Sequence, residues 1–240
     1  DPIDGMIRRL SNACQEVGRA WSGSFIGYQS TVYIDGLRPA QPGEFFSIEW
    51  GPMRSNGEWA EYAFDGVRGE IERRAGEQDM QPINDAVSVA RSAFDSGREE
   101  ILPALDAILV SRNDQTLKDL RNSIAELRDH FSMEEFAQSW LPRGQQIVRD
   151  PRAQGALQLP HHLRYQAWLL ERDSFGTQAG ELARLTKQAV KYLKYTMSLK
   201  GNTVAKTDGT VFIGHGHSAA WRDLKDFLQD RLGLQWDEFN

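Results

Sequence analysis

The chain has 240 residues, 40% hydrophobic and 26% charged, which is enough to bury an ordinary globular core in one or two domains and excludes a disordered polymer. With 28 Lys+Arg against 34 Asp+Glu the formal net charge is -6, so nothing draws the chain as a whole to phosphate backbones or anionic membranes, and neither is an expected partner. No apolar run approaches the ~20 residues that span a bilayer, no basic-then-apolar signal opens the chain, and the single cysteine, Cys14, has no internal disulfide partner; these features point to the cytoplasm.

Residues Pro2 to Ala20 place Ile3, Met6, Ile7, Leu10, Cys14 and Val17 on one helical stripe, with Pro2 well placed near its start. The next stretch, WSGSFIGYQSTVYIDGLRPAQPGEFFSIEWG, is aromatic and β-branched and is broken by glycine and proline. It predicts two short strands, Ser30 to Ile34 and Phe45 to Trp50, joined through Gly36 to Gly43. Its aromatic residues Trp21, Phe25, Tyr28, Tyr33, Phe45, Phe46 and Trp50 read as core, with a stacking pocket for a planar ligand as the competing reading.

From Gly57 a helical period runs through Trp59, Tyr62, Ala63, Val67 and Ile71 and ends at Gly76. Ile83 to about Val110 is helical again, and Gly97 and Pro103 predict two pieces or a kink. Leu117, Leu120, Ile124, Leu127 and Phe131 form an apolar seam too short for the ~3 to 4 heptads of a coiled coil, so core packing is preferred over dimerisation. Ser132, followed by Met133, Glu134 and Glu135, is a capping box that opens a short helix stopped by Pro142. Arg143 to Leu159 reads as a loop with one helical turn at most, and Arg143, Arg149, Arg152 and Arg164 as solvated surface. His162 to Ser174 and Gln178 to Leu199 predict two more helices, with His161 and His162 as solvent-facing residues at an N-terminus. Lys187, Lys191, Lys194 and Lys200 suit a helix C-terminus. The small polar stretch from Lys200 to Gly209 reads as a linker at a domain boundary.

Thr210 to Leu232, TVFIGHGHSAAWRDLKDFLQDRL, then joins an apolar strand, a glycine turn and an amphipathic helix. A glycine turn between a strand end and a helix N-terminus offers backbone N–H groups to an anion or nucleotide. The segment Gly216-His217-Ser218-Ala219-Ala220 mimics a nucleophile elbow, but no histidine follows Ser218 to complete a triad, which excludes that reading. His215 and His217 as a metal pair have no further ligands at motif spacing, and no metal is assigned. A tight turn whose histidines hydrogen-bond loop backbone stays open beside the nucleotide reading.

On VFIGHGHSAAWRDLKDFLQDRLGL, Val211 to Leu234 resembles the opening strand and first helix of the TIR-like domain of bacterial predicted nucleotide-binding proteins, a group that includes TIR effectors of cyclic-nucleotide antiphage systems. The resemblance is carried by Val211, Phe212, Ile213, His215, Gly216 and His217, then by Leu232, Gly233 and Leu234. It implies the first β-α unit of a flavodoxin-like parallel sheet and, in the complete protein, cleavage of NAD+ at the nicotinamide glycosidic bond. The catalytic glutamate of that family comes from a later helix, expected beyond Asn240, so no residue of this chain is assigned to catalysis. Gly214, His215 and Gly216 match the first strand-to-helix loop and are the nucleotide-proximal positions that the resemblance implies. The W-S-G-S-F-I-G-Y and F-F-S-I-E-W-G segments also resemble N-terminal regions attached to such proteins.

The chain starts at Asp1 and stops at Asn240 just after a helix, so both ends read as cut. The expected organisation is α+β: a helix-rich sensing or assembly domain over 1–199 with a small β-hairpin or sheet, a linker over 200–209, and an incomplete TIR-like domain over 210–240. NAD+ is expected as substrate and not as a cofactor. An unknown trigger ligand or partner is expected at the N-terminal domain, and homo-oligomers are a further expectation. The competing reading is a small-ligand-binding or oligomerisation module whose TIR-like part is a non-catalytic interaction domain.

Overall fold

The architecture is α+β and mainly helical, with a small antiparallel sheet. The computed structural model describes residues 2–46, 56–77, 79–144, 148, 150–200, 210–214, 229 and 235–239, with side chains through Ser198 and at Gln229. Contacts divide the chain into two compact units, Asp1–Lys187 and Gln188–Asn240. Among the described residues no helix is long and apolar enough to cross a membrane.

In the first unit, helix α1 (Pro2–Gly18) buries Leu10, Ala13, Cys14 and Val17, the inner half of the stripe read from the sequence. These side chains meet Tyr33 and Ile34 on the first strand, Leu37 just after it, Val67 and Ile71 on the second helix, and Tyr165 and Leu169 farther along the chain. Leu10, Val17, Ile71 and Leu169 are 0% exposed, and each contributes roughly 1.5–3 kcal/mol by leaving water.

Strand β1 (Val32–Ile34) pairs antiparallel with β2 (Trp59–Glu61), in the register Val32 to Glu61 and Ile34 to Trp59. The expected second strand, Phe45 to Trp50, lies largely outside the described residues, since 47–50 are not described; Phe45 makes an isolated antiparallel bridge to Asn56. Trp59 and Tyr62 likewise do not begin a helix. Their spacing fits a helical face, but the Asp35 N–H donates to Glu58 O at 2.7 Å and the Tyr62 N–H to Thr31 O at 2.9 Å. Those bonds hold the segment extended until Ala63, after which α2 (Phe64–Arg74) begins.

The long helix α3 (Gln81–Ser111) is continuous, against the expectation of two pieces. Pro103 faces solvent, so the carbonyl its missing N–H leaves unpaired can be hydrated, and Gly97 lies beneath Leu182 rather than at a break. Helix α4 (Gln115–Glu126) turns back along α3 after the Asp114 side chain caps it through the Leu117 N–H at 3.2 Å. Its Leu117, Leu120 and Ile124 are buried, as the seam predicts, whereas Phe131 lies past the helix end and is 39% exposed. Helix α5 (Met133–Trp140) opens with the capping box of Ser132 and Glu135. A single 3-10 turn, Pro151–Ala153, interrupts the following loop.

Helix α6 (His161–Lys200) is one element, where two were expected. Gly176 and Gly180 face open space and cost about 1 kcal/mol each in helix propensity, an amount offset by burial of Ser174, Phe175, Gln178 and Leu182 around them.

In the second unit, β3 (Thr210–Gly214) covers the apolar run Val211 to Ile213 and pairs in parallel with β4 (Gln235–Phe239), an element that the sequence reading did not anticipate. Residues 201–209 of the expected linker lie outside the described residues.

Candidate functional site

Thr210 stands opposite Gln235, and Gly214, at the carboxyl end of β3, stands opposite Phe239. Two adjacent parallel strands need a crossover of a dozen or more residues between them, and residues 215–234 supply it. Gln229, the one described residue of that crossover, is helical. In open α/β sheets ligands bind outside the carboxyl ends of parallel strands, which is the position Gly214 occupies. His215 and Gly216, the other two nucleotide-proximal positions, lie outside the described residues, as do His217 and Ser218.

The first unit holds a polar cluster where α6 begins. Tyr33 is 0% exposed; its hydroxyl lies 3.0 Å from His162 Nδ1 and accepts the His162 backbone N–H at 3.3 Å. The His162 ring fits against Gly18, where a Cβ would stand 2.9 Å from its Cδ2, and Trp21 tilts over it with ring centroids 5.5 Å apart. Burial, and then the neighbouring His161, hold the His162 pKa down at about 4, so the ring is neutral and Nδ1 accepts the Tyr33 proton. Burial pushes the Tyr33 hydroxyl well above its ordinary value and the Cys14 thiol up to about 12, so neither is a nucleophile near neutral pH. His161 Nε2 lies 3.1 Å from Tyr62 O, and the ring packs edge-on against Phe64. Neither histidine is solvent-facing in the way a helix N-terminus suggested: His162 is 5% exposed and His161 is half-buried.

The W-S-G-S-F-I-G-Y segment folds around Gln29. Ser22 Oγ donates to Gln29 O at 2.8 Å, Ser24 Oγ to Gln29 Oε1 at 2.7 Å, and Trp21 Nε1 to Ser30 O at 3.1 Å. Gly27, at φ 52, lets this loop approach Ala153 O, which a Cβ would meet at 2.8 Å. The Tyr28 hydroxyl donates to Asp150 Oδ2 at 2.8 Å, and that bond is the first cause holding the Asp150 carboxyl below the usual range. Arg152 lies over the Tyr28 ring at 4.2 Å and pairs with Glu61 at 2.9 Å, and Arg164 lies over Phe64 at 4.8 Å; both stay exposed, on the solvated surface that the sequence suggested. Ser30 Oγ is buried with no partner among the described residues, whereas the Gln29 amide helps hold the Asp150 carboxyl down. Of the aromatic residues read as core or pocket, Tyr33 is core and Phe45 is 47% exposed. Trp21 and Phe25 meet edge to face at 4.9 Å, and Trp50 lies outside the described residues.

A shallow groove of about 470 Å³ lies between α3 and the end of α4, lined in part by Phe94, Arg98, Arg128 and His130. Its arginines are already engaged: Arg98 donates to Ala125 O and Leu127 O, and Arg128 pairs with Glu135. His130 stacks on Phe175 at 4.4 Å. This arrangement closes the end of α4 and offers no free cation to a ligand. Among the described residues no group of three or more His, Cys, Asp or Glu side chains is placed to hold a metal ion.

Sequence reasoning missed the Tyr33–His162 and Tyr28–Asp150 pairs because their partners are 129 and 122 residues apart. The local signal for the first was a histidine doublet directly after Pro160, at a place where a helix had to dock. No family model, curated protein or solved structure matches the chain.

Proposed function

We propose that this chain carries the regulatory part of a bacterial TIR-like antiphage effector together with the entrance of its flavodoxin-like nucleotide-binding domain, and that the complete protein acts in the cytoplasm to cleave NAD+. The observation that carries this reading is the parallel pairing of β3 with β4, with Gly214 at the strand end and the sequence His215-Gly216-His217-Ser218 directly after it. A parallel strand followed by a glycine turn and a crossover is the arrangement that presents a nucleotide to a strand end, and the V-F-I-G-H-G-H resemblance supplies the chemistry. In that chemistry water replaces nicotinamide at the ribose carbon and ADP-ribose leaves. Gly214, His215 and Gly216 border the nucleotide, and no residue of this chain is assigned as the catalytic carboxylate.

The test is the NAD+ content of phage-infected cells that carry the complete protein, compared with cells carrying its Gly216→Asp variant. NAD+ falls during infection with the first and stays level with the second. Equal, steady NAD+ in both cultures would sink the reading.

A second reading, a small-ligand module with a non-catalytic TIR-like interaction domain, is favoured by one observation. Ser30 Oγ offers buried hydrogen-bonding capacity with no partner among the described residues, and buried polar groups ordinarily find partners. Mass spectrometry of material released from the purified chain on denaturation separates the two: a stoichiometric polar metabolite, lost in Ser30→Ala, supports ligand binding at the first unit.

A further inference from the structure

We infer that the chain associates with a second copy of itself through two different helix faces, the acidic outer face of α3 on one protomer receiving the basic side of α6 on its partner. At about 100° per residue, Val89, Glu99, Glu100 and Val110 fall within about 100° of arc on α3. All four are exposed, Val89 at 69% and Val110 at 89%. On α6, Lys187, Val190, Lys191 and Tyr195 fall within about 140° of arc. They too are exposed, Tyr195 at 64%. Most of the large apolar side chains exposed among the described residues therefore lie on these two faces, each beside charges of one sign.

The charges are complementary and uncommitted. Among the described residues no ion pair engages Glu99, Glu100, Lys187 or Lys191. Between Leu182 and Thr207 the sequence has Arg184, Lys187, Lys191, Lys194, Lys200 and Lys206 and no acidic residue, in a chain whose net charge is -6. A polyanion such as nucleic acid meets the repulsion of the whole chain on approach, whereas a second copy presents the α3 carboxylates that the lysines lack. Valines beside the carboxylates and Val190 and Tyr195 beside the lysines supply apolar contact at the centre with charge at the rim. Because the two faces differ, the contact is either made twice across a two-fold axis in a dimer or repeated head to tail in a ring or filament. This inference needs none of the NAD+ chemistry of the proposed function, so loss of association with NAD+ cleavage retained, or the reverse, tells the two apart.

The experiment is light scattering of the nuclease-treated chain over a range of concentration and salt, with E99K/E100K, K187E/K191E and an equimolar mixture of the two. All four positions are exposed, and circular dichroism confirms that each variant folds. The wild type gains mass with concentration and loses it at high salt, and each variant associates about tenfold more weakly because like charges now face each other. The mixture recovers wild-type association, since every contact between the two variants regains opposite charges. A wild type that is monomeric throughout, association indifferent to E99K/E100K, or a mixture no tighter than its components overturns the inference. Association present only before nuclease treatment also overturns it and makes nucleic acid the occupant.

Discussion

The cluster where Tyr33 meets His162 and the α3–α4 hairpin both join distant stretches of chain through polar side chains, but they do so under opposite conditions. Around Tyr33 water is excluded, the histidine is neutral, and each hydrogen bond is made once with no substitute. Along α3 and α4 the link is the ion pair of Arg121 with Asp106 at 2.8 Å, reached by solvent that can replace either partner. Burial thus decides how much a polar contact matters, and the two regions should part company under perturbation.

Acid gives the largest separation. The His162 pKa is depressed from 6.5 to about 4, so between those values the unfolded chain binds the proton and the folded chain does not. Stability is fully present above pH 6.5 and declines as pH falls toward 4, by about 3 kcal/mol for this group. Urea midpoints from pH 7.5 to 4.5 should fall for the wild type and flatten in His162→Gln; parallel slopes in the two proteins would show that the ring is not the proton acceptor. Next in size, Tyr33→Phe strips the His162 N–H and Nδ1 of their partner and should cost about 1–3 kcal/mol at pH 7.5 by urea denaturation.

On the hairpin side, Arg98→Ala removes the donor to two carbonyls at the end of α4 and should cost about 1–2 kcal/mol, with faster amide exchange confined to the last turn of α4. The smallest effect is expected for Arg121→Ala, whose exposed pair with Asp106 should leave the urea midpoint unchanged. A drop matching that of Tyr33→Phe would erase the contrast between the regions.

The same contrast governs what was legible beforehand. The α1 stripe from Ile3 to Val17, the Ser132 capping box and the Leu117–Ile124 seam are local patterns whose meaning lies within a few residues, and they form the predicted elements. The strand Val211 to Ile213 was legible for the same reason. Trp59 to Glu61 was not, because its extended form depends on a ladder to β1 that overrides a helical spacing. Gly97 and Pro103 predict breaks, as does the gap left between Ser174 and Gln178; neighbours such as Leu182 and Phe175, not the glycine or proline itself, settle whether the helix continues. At the candidate site the strand Val211 to Ile213 is a local pattern, although β3 extends to Gly214, which the sequence places in the turn, whereas the burial of His162 depends on Tyr33 in a different part of the chain.

The close approach of Gly18 to His162 makes these two positions a single allotment of space. An alanine at 18 must displace the ring, which is fixed on its other side by Tyr33 and Trp21, so the substitution is expected to be tolerated only beside a smaller residue at 162. In any related chain the two positions should then vary together in size: glycine with histidine, or a larger residue with a smaller one. The pair Gly18→Ala and His162→Ser, each costly alone, should recover part of that cost when combined, a coupling that neither residue's own properties predict.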